Sequence, residues 1–246
     1  MQSIAPSRVL TRRSQQLMTL ALVVFAAGVF VTALGTLIRL IPLVPMGSQL
    51  DLQHAVGIII LLIGIALLIG SMVMFVRART WKVDNDLAMM TGEALARSLD
   101  DSYTLIRNIS KREIGYVDAV LVGVPGVLVF RILDSQGEFA NEGPNWLVKD
   151  PRTNEWKPAG IEPTRECVAD IQKIREFLAK RGFTDVPMFG IVVFTKEQPF
   201  TMLKAREPVV PITPLSTLFE NLRPNYLATA RMNPAQIQPI VEALFR

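Results

Sequence analysis

Two stretches of this chain, residues 14–38 and 55–76, contain no charged side chain. Each is longer than the ~20 apolar residues that cross a ~30 Å hydrocarbon core. Inside such a core every backbone N–H and C=O must be satisfied within the segment, which leaves the helix as the fold for an isolated span. The expectation is two transmembrane helices, at about residues 14–40 and 54–76. The first is too long for the ~7–15-residue core of a signal peptide, and no small-residue cleavage site follows it. Arg39 marks its end, because a cation at mid-membrane costs about 2.5–3.5 kcal/mol on insertion scales whereas one at the edge reaches water. Pro42, Pro45 and Gly47 then break the helix and turn the chain back as a hairpin. Gly28, Gly35, Gly57 and Gly64 allow the two helices to approach closely. Neither span holds an ionisable residue that would mark a transport path, so the hairpin reads as an anchor to the lipid bilayer.

Arg8, Arg12 and Arg13 precede the first span, and Arg77, Arg79 and Lys82 follow the second. The positive-inside rule therefore places both termini in the cytoplasm, with the chain multi-pass in the inner (plasma) membrane. Of 26 basic and 22 acidic residues, residues 1–76 hold Arg8, Arg12, Arg13, Arg39 and Asp51, which leaves 22 basic and 21 acidic beyond them. The net charge of +4 thus reports membrane topology rather than a nucleic-acid surface. Cys167 is the single cysteine and His54 the single histidine. That excludes an internal disulfide, a zinc set, and any Ser/His/Asp or Cys/His arrangement in the soluble part.

Beyond the spans, residues 77–86 read as a polar link and residues 86–101 as an amphipathic helix capped by Asp86, with Leu87, Met90, Ala94 and Leu95 on one face. Residues 103–109, 116–123 and 126–133 are β-prone, the last two joined by a turn at Val124-Pro125-Gly126. Their apolar runs are nearly continuous, which predicts a sheet buried on both faces by helices. Asp118 is an isolated carboxylate in this setting. Residues 134–160 predict an edge hairpin and residues 162–181 a helix with Cys167, Ile171, Ile174 and Leu178 inward and Gly182 as its stop. A strand at 187–195 follows, then a short strand near 209–212 and a helix capped by Thr213 that reaches Leu222. A final helix starts at Asn233-Pro234.

This order resembles the nuclease-related domain (NERD) family of the PD-(D/E)XK restriction-endonuclease-like superfamily over residues 88–222. The resemblance rests on Gly92-Glu93 early in the first helix, Tyr116-Val117-Asp118-Ala119-Val120, the Gly126-Val127-Leu128-Val129 turn into the next strand, Trp156 ahead of Pro163, and Ile191-Val192-Val193-Phe194. It implies an α/β fold with a restriction-endonuclease-like mixed sheet flanked by helices, here preceded by the transmembrane α-hairpin. The domain plan is residues 1–13 as a cytoplasmic segment, 14–76 as the hairpin, 77–86 as the link, 87–222 as the NERD-like domain and 223–246 as a helical extension.

In that family an Asp and a Glu hold a divalent metal while a Lys orients or activates water for phosphodiester hydrolysis. The resemblance carries Asp118 and Glu93 over, but the positions of the second acid and the Lys are Arg131 and Leu133, and the family's Gln falls on Glu166. A guanidinium ~4 Å from a divalent cation repels it by roughly 8 kcal/mol at an effective dielectric of about 20. The expectation is a degenerate centre in which Arg131 pairs with Asp118 and Glu166, no cofactor is required, and the domain binds or scaffolds an unidentified protein partner. One alternative is a metal-dependent nuclease with a relocated acid, in which Asp118, Glu93 and Glu166 hold Mg2+ or Mn2+; Asp134 points away from that face by strand alternation. Another is a non-cleaving nucleic-acid binder using Lys111 and Arg112 before the Asp118 strand, Lys180 and Arg181 at a helix end, Lys149, Arg152 and Lys157 in the tryptophan loop, and Trp146 and Trp156 to stack bases.

Overall fold

The computed structural model describes residues 1–5, 8–41 and 48–245, and the chain divides into two compact units. One is Val9–Val83; the other joins Met1–Arg8 to Asp84–Arg246. In the first unit, helices α1 (Arg8–Leu40) and α2 (Ser48–Ala96) are long and apolar enough to cross a membrane. They run antiparallel and meet at their glycines. A Cβ on Gly28 would lie 3.1 Å from Leu68, one on Gly35 2.6 Å from the Leu61 nitrogen, one on Gly57 3.3 Å from the Arg39 nitrogen, and one on Gly64 would collide with Thr32. Along these contacts the residue number rises on one helix by as much as it falls on the other, so a single register holds. Gln53 Nε2 donates to the Ile38 and Ile41 carbonyls at 2.5 and 2.7 Å, which satisfies free carbonyls at the end of α1. The expected breakers at residues 42–47 lie outside the described residues.

The polar link expected at residues 77–86 is absent: α2 continues as one helix to Ala96. Polarity alone does not end a helix, and residues 77–91 contain neither Gly nor Pro. Asp86 is accordingly a helix-interior residue and caps nothing.

The second unit is mixed α/β. In chain order its strands are β1 (Gln2–Ile4), β2 (Thr104–Lys111), β3 (Gly115–Gly123), β4 (Gly126–Leu133), β5 (Gly137–Glu142), β6 (Asn145–Lys149), β7 (Trp156–Pro158), β8 (Met188–Phe194), β9 (Thr201–Arg206) and β10 (Ile212–Pro214). Its further helices are α3 (Pro163–Ala179), α4 (Leu218–Leu222) and α5 (Pro234–Phe245). The main sheet has the order β1-β2-β3-β4-β8-β10. Strands β2, β3 and β4 form an antiparallel meander, and the chain then crosses over through α3 to β8, parallel to β4. Both faces are covered, as the continuous apolar runs predict. Ala119, Leu121, Leu128 and Phe130 pack with Leu95 of α2 and Leu222 of α4. Val120, Val122, Val127 and Val129 pack with Ile174 and Leu178 of α3 and Ile240 and Leu244 of α5. Residues 223–246 therefore complete the core through α5 rather than extend from it.

The turn between β3 and β4 needs Gly126: its φ is +132°, and a Cβ there would collide with the Pro187 carbonyl oxygen. Asn233 opens α5 as expected, its Oδ1 accepting the Ala235 N–H at 3.0 Å. Thr213 does not cap a helix; it is buried in β10 and accepts from Asn221 Nδ2 at 2.8 Å, with α4 beginning after a short 3-10 turn. Residues 134–160 form a hairpin and a third strand, and the unforeseen β9 completes a small sheet of order β7-β6-β5-β9. Strand β1 was equally unforeseen. It pairs parallel to β2 with Gln2 opposite Thr104 and Ile4 opposite Ile106, so the N-terminal residues belong to the sheet instead of forming a separate tail.

Candidate functional site

The β3–β4 ladder runs from Gly123↔Gly126 to Ala119↔Phe130. Its next position sets Asp118 opposite Arg131. There the Asp118 Oδ2 atom accepts the Ile132 N–H at 2.8 Å and meets Arg131 Nη1 at 3.5 Å. The other guanidinium nitrogen, Nη2, lies 2.6 Å from Glu166 Oε2 in the first turn of α3. Arg131 is thus bracketed by two carboxylates from two elements, the pairing expected from its sequence position.

Other polar groups close the cluster. Asp170, one turn beyond Glu166, pairs with Lys173 at 3.0 Å. Tyr116 Oη donates to Asn108 Oδ1 at 3.0 Å, and Asn108 Nδ2 donates to Asn85 Oδ1 at 2.8 Å. Asn108 is buried with φ +55°, a backbone setting that Asn tolerates better than most residues. Asp84, beside Asn85 on α2, is close enough to feel the Arg131 charge.

Burial dominates the electrostatics. It pushes the Asp118 carboxyl up to about 6, against the pull of Arg131 and the Ile132 N–H, while Asp84 and Asp170 push the same way as burial. An ion-paired acid ordinarily moves down. Here the contact to Arg131 is long and shares one oxygen with an amide, whereas the guanidinium sits closer to Glu166. For Arg131 itself, burial is outweighed by Asp118, Glu166 and Asp170, and it stays charged. Burial also raises Asp84, Asp170 and the Tyr116 phenol. The Cys167 thiol is pushed up to about 12, by burial first and then by Asp170, so it is a packed and unreactive group.

Glu93 is not brought to this cluster. It is exposed and lines a depression with Arg97, Ser98, Glu197 and Leu215, and among the described residues no three His, Cys, Asp or Glu side chains form a metal-ligand group. Asp118 and Glu166 do share a site, but with a guanidinium between them. That donor set does not fit a divalent cation in the pose the resemblance implies, because the guanidinium charge would repel it. Leu133, where the resemblance implies a Lys, packs toward the Phe139, Trp146 and Phe194 cluster and is a piece of apolar wall.

The tryptophan loop separates as well. Trp146 is buried, donates Nε1 to Thr164 Oγ1 at 2.8 Å and packs 5.7 Å from Phe194. Trp156 is 39% exposed with Lys204 Nζ 5.5 Å from its ring. Lys149 and Lys157 pair with Glu138 and Asp150. The two rings therefore do not form one stacking surface, whereas Lys111, Arg112 and Arg181 line one depression with Glu113 and Glu242.

Asp170, Asp84 and the Asn85–Asn108–Tyr116 chain were missed at the sequence level. Asp170 carried a usable signal, four residues after Glu166 on a helix and so on the same face. Asp84 and Asn85 carried none, because they reach the site only through the unbroken α2. Comparison with protein-family models, curated proteins and solved structures returns no match.

Proposed function

We propose that this chain is a membrane-anchored cytosolic domain of NERD-like ancestry, in which an ion triad replaces the nuclease centre and the domain serves as a non-catalytic binding or scaffold module. The observation that carries the reading is the Arg131 guanidinium held between Asp118 and Glu166, where the resemblance implies a metal. The element order α2–β2–β3–β4–α3–β8, with its antiparallel meander and parallel crossover, supports the ancestry.

The anchoring has its own support. Strand β1 and residues 84–246 belong to one folded unit, so the chain leaves that unit after residue 8 and returns to it by residue 84. An excursion that returns to the same compartment crosses the bilayer an even number of times, and two helices of sufficient length lie within it. The basic residues at the open end of the hairpin favour the cytoplasmic face of the inner membrane. Tethering there raises the effective concentration of the domain toward membrane-bound protein partners.

The test is hydrolysis of single- and double-stranded nucleic acid by the full chain in detergent with Mg2+ or Mn2+, beside Asp118→Ala. The expected result is no metal-dependent cleavage. Cleavage that disappears in Asp118→Ala overturns the proposal.

A further inference from the structure

We infer that the membrane hairpin carries a site for one anionic phospholipid, formed by an apolar groove between α1 and α2 and by Arg79 and Lys82 at its mouth; this rests on the reading of α1 and α2 as membrane spans. The groove has a volume of about 500 Å³ and is walled by Ala21, Leu22 and Phe25 of α1 and by Leu68, Met72 and Phe75 of α2. On α2, Leu68, Met72, Phe75, Arg79 and Lys82 follow one another at alternating steps of four and three residues. That spacing puts them on one stripe of the helix. The groove wall therefore runs directly into two cations, the first one helical turn (~5.4 Å) beyond Phe75.

The hairpin register fixes the depth. Gly28 faces Leu68 and Gly57 faces Arg39, so continuing the register sets Arg77 level with Thr19. Between the Arg39 level and the Arg77 level each helix has about 19 uncharged residues, or ~28 Å, close to one hydrocarbon thickness. Arg79 and Lys82 then lie at the headgroup level and the groove lies in the acyl region just beneath them. Both cations are exposed, and neither makes an ion pair among the described residues. The only acid in residues 9–83 is Asp51, at the opposite end of the hairpin. Asp84 and Asp86 follow Lys82 on α2, farther from the groove, so Arg79 and Lys82 are the charges nearest the apolar slot and complement a phosphate headgroup on an acyl chain.

Full-length protein reconstituted into nanodiscs of mixed phosphatidylglycerol and phosphatidylcholine, then re-extracted, is weighed by native mass spectrometry. Phosphatidylglycerol is expected to stay bound at about one per chain in preference to phosphatidylcholine. The preference is expected to fall about thirtyfold in Arg79→Ala/Lys82→Ala, the effect of losing two surface cations. It persists in Arg79→Lys/Lys82→Arg and in Arg77→Ala, whose side chain leaves α2 in another direction, while Met72→Trp, which fills the slot, lowers retention of both lipids. Equal retention of the two lipids by the unaltered chain, or equal loss from Arg77→Ala and from the Arg79/Lys82 pair, overturns the site. Failure of the unaltered chain to enter nanodiscs overturns the membrane reading and the lipid site with it.

Discussion

Asp118 combines deep burial with a carboxyl raised to about 6, and this links its proton to folding. The folded chain binds that proton more tightly than the unfolded chain, whose carboxyl titrates near 3.9. The stability it contributes is therefore fully present below about pH 4 and is lost as pH rises through about 6, by at most 2–3 kcal/mol. Asp118→Asn keeps an acceptor for the Ile132 N–H and removes the titration. The melting temperature of that variant should fall less steeply from pH 4.5 to 7 than that of the unaltered protein, with Asp84 and Asp170, raised in the same direction, sustaining a residual slope. Identical slopes would assign the linkage to other groups. Arg131 yields the complementary prediction. Arg131→Glu removes the cation that stands between Asp118 and Glu166 and adds a third acid facing them. Apo protein should lose about 3–5 kcal/mol, the usual cost of breaking a buried pair, and Mn2+ should restore much of the melting temperature while leaving the unaltered protein unmoved. A variant indifferent to Mn2+ would mean that these carboxylates cannot converge on a metal even without the guanidinium.

Packing between α3 and β8 depends on Gly190, whose Cβ would lie 2.6 Å from Ile171 Cδ1 and 2.7 Å from Cys167 Sγ. Gly190→Ala should lift α3 from the sheet and lower stability by about 1–3 kcal/mol, the usual cost of overpacking, read as a drop in melting temperature. Because Glu166 rides on the same helix, the variant should also loosen its contact with Arg131. The meander β2–β3–β4, the helix α3 and the strand β8 were legible because each carries its own period, turn or stop signal over several residues. Strands β1 and β9 were not, since three residues of Gln2-Ser3-Ile4 and the polar alternation of β9 show no run of apolar positions. They exist through pairing with β2 and β5, a non-local term. The same blindness produced the link expected at residues 77–86, where a change in polarity reports the end of an apolar stretch and not the end of a helix. Amide exchange tests that correction: N–H groups of residues 78–90 should be protected to a degree comparable with the rest of α2, whereas a polar link would exchange within seconds. The Asp118–Arg131–Glu166 triad was legible for a different reason: the family resemblance implies an acid where Arg131 stands, opposite the retained Asp118, and a base there calls for carboxylate partners.

For the whole molecule, the question is which side of the bilayer each segment occupies, and the fold constrains it more tightly than counting arginines does. Strand β1 hydrogen-bonds into the same sheet as β2, so residue 3 and residue 110 must share a compartment whatever the loop charges are. Asp51, in the first turn of α2, must then lie on the opposite side if each helix crosses once. The chain is suited to measuring this. Its single cysteine is buried, with a thiol raised to about 12, and so gives little background with maleimides. Ser3→Cys, Ser110→Cys and Asp51→Cys all place the new thiol at exposed positions. In sealed inside-out inner-membrane vesicles a membrane-impermeant maleimide should label residues 3 and 110 and spare residue 51, and right-side-out vesicles should reverse the pattern. Labelling of 3 and 110 from opposite faces is incompatible with β1 pairing to β2 and would dissolve the six-stranded sheet as described. Labelling of all three from one face keeps the sheet but makes the hairpin re-entrant or peripheral, and the mixed α/β unit would then need a different hold on the membrane. The two failures are distinguishable because the sheet constrains only the first pair, while the bilayer constrains the third position against both.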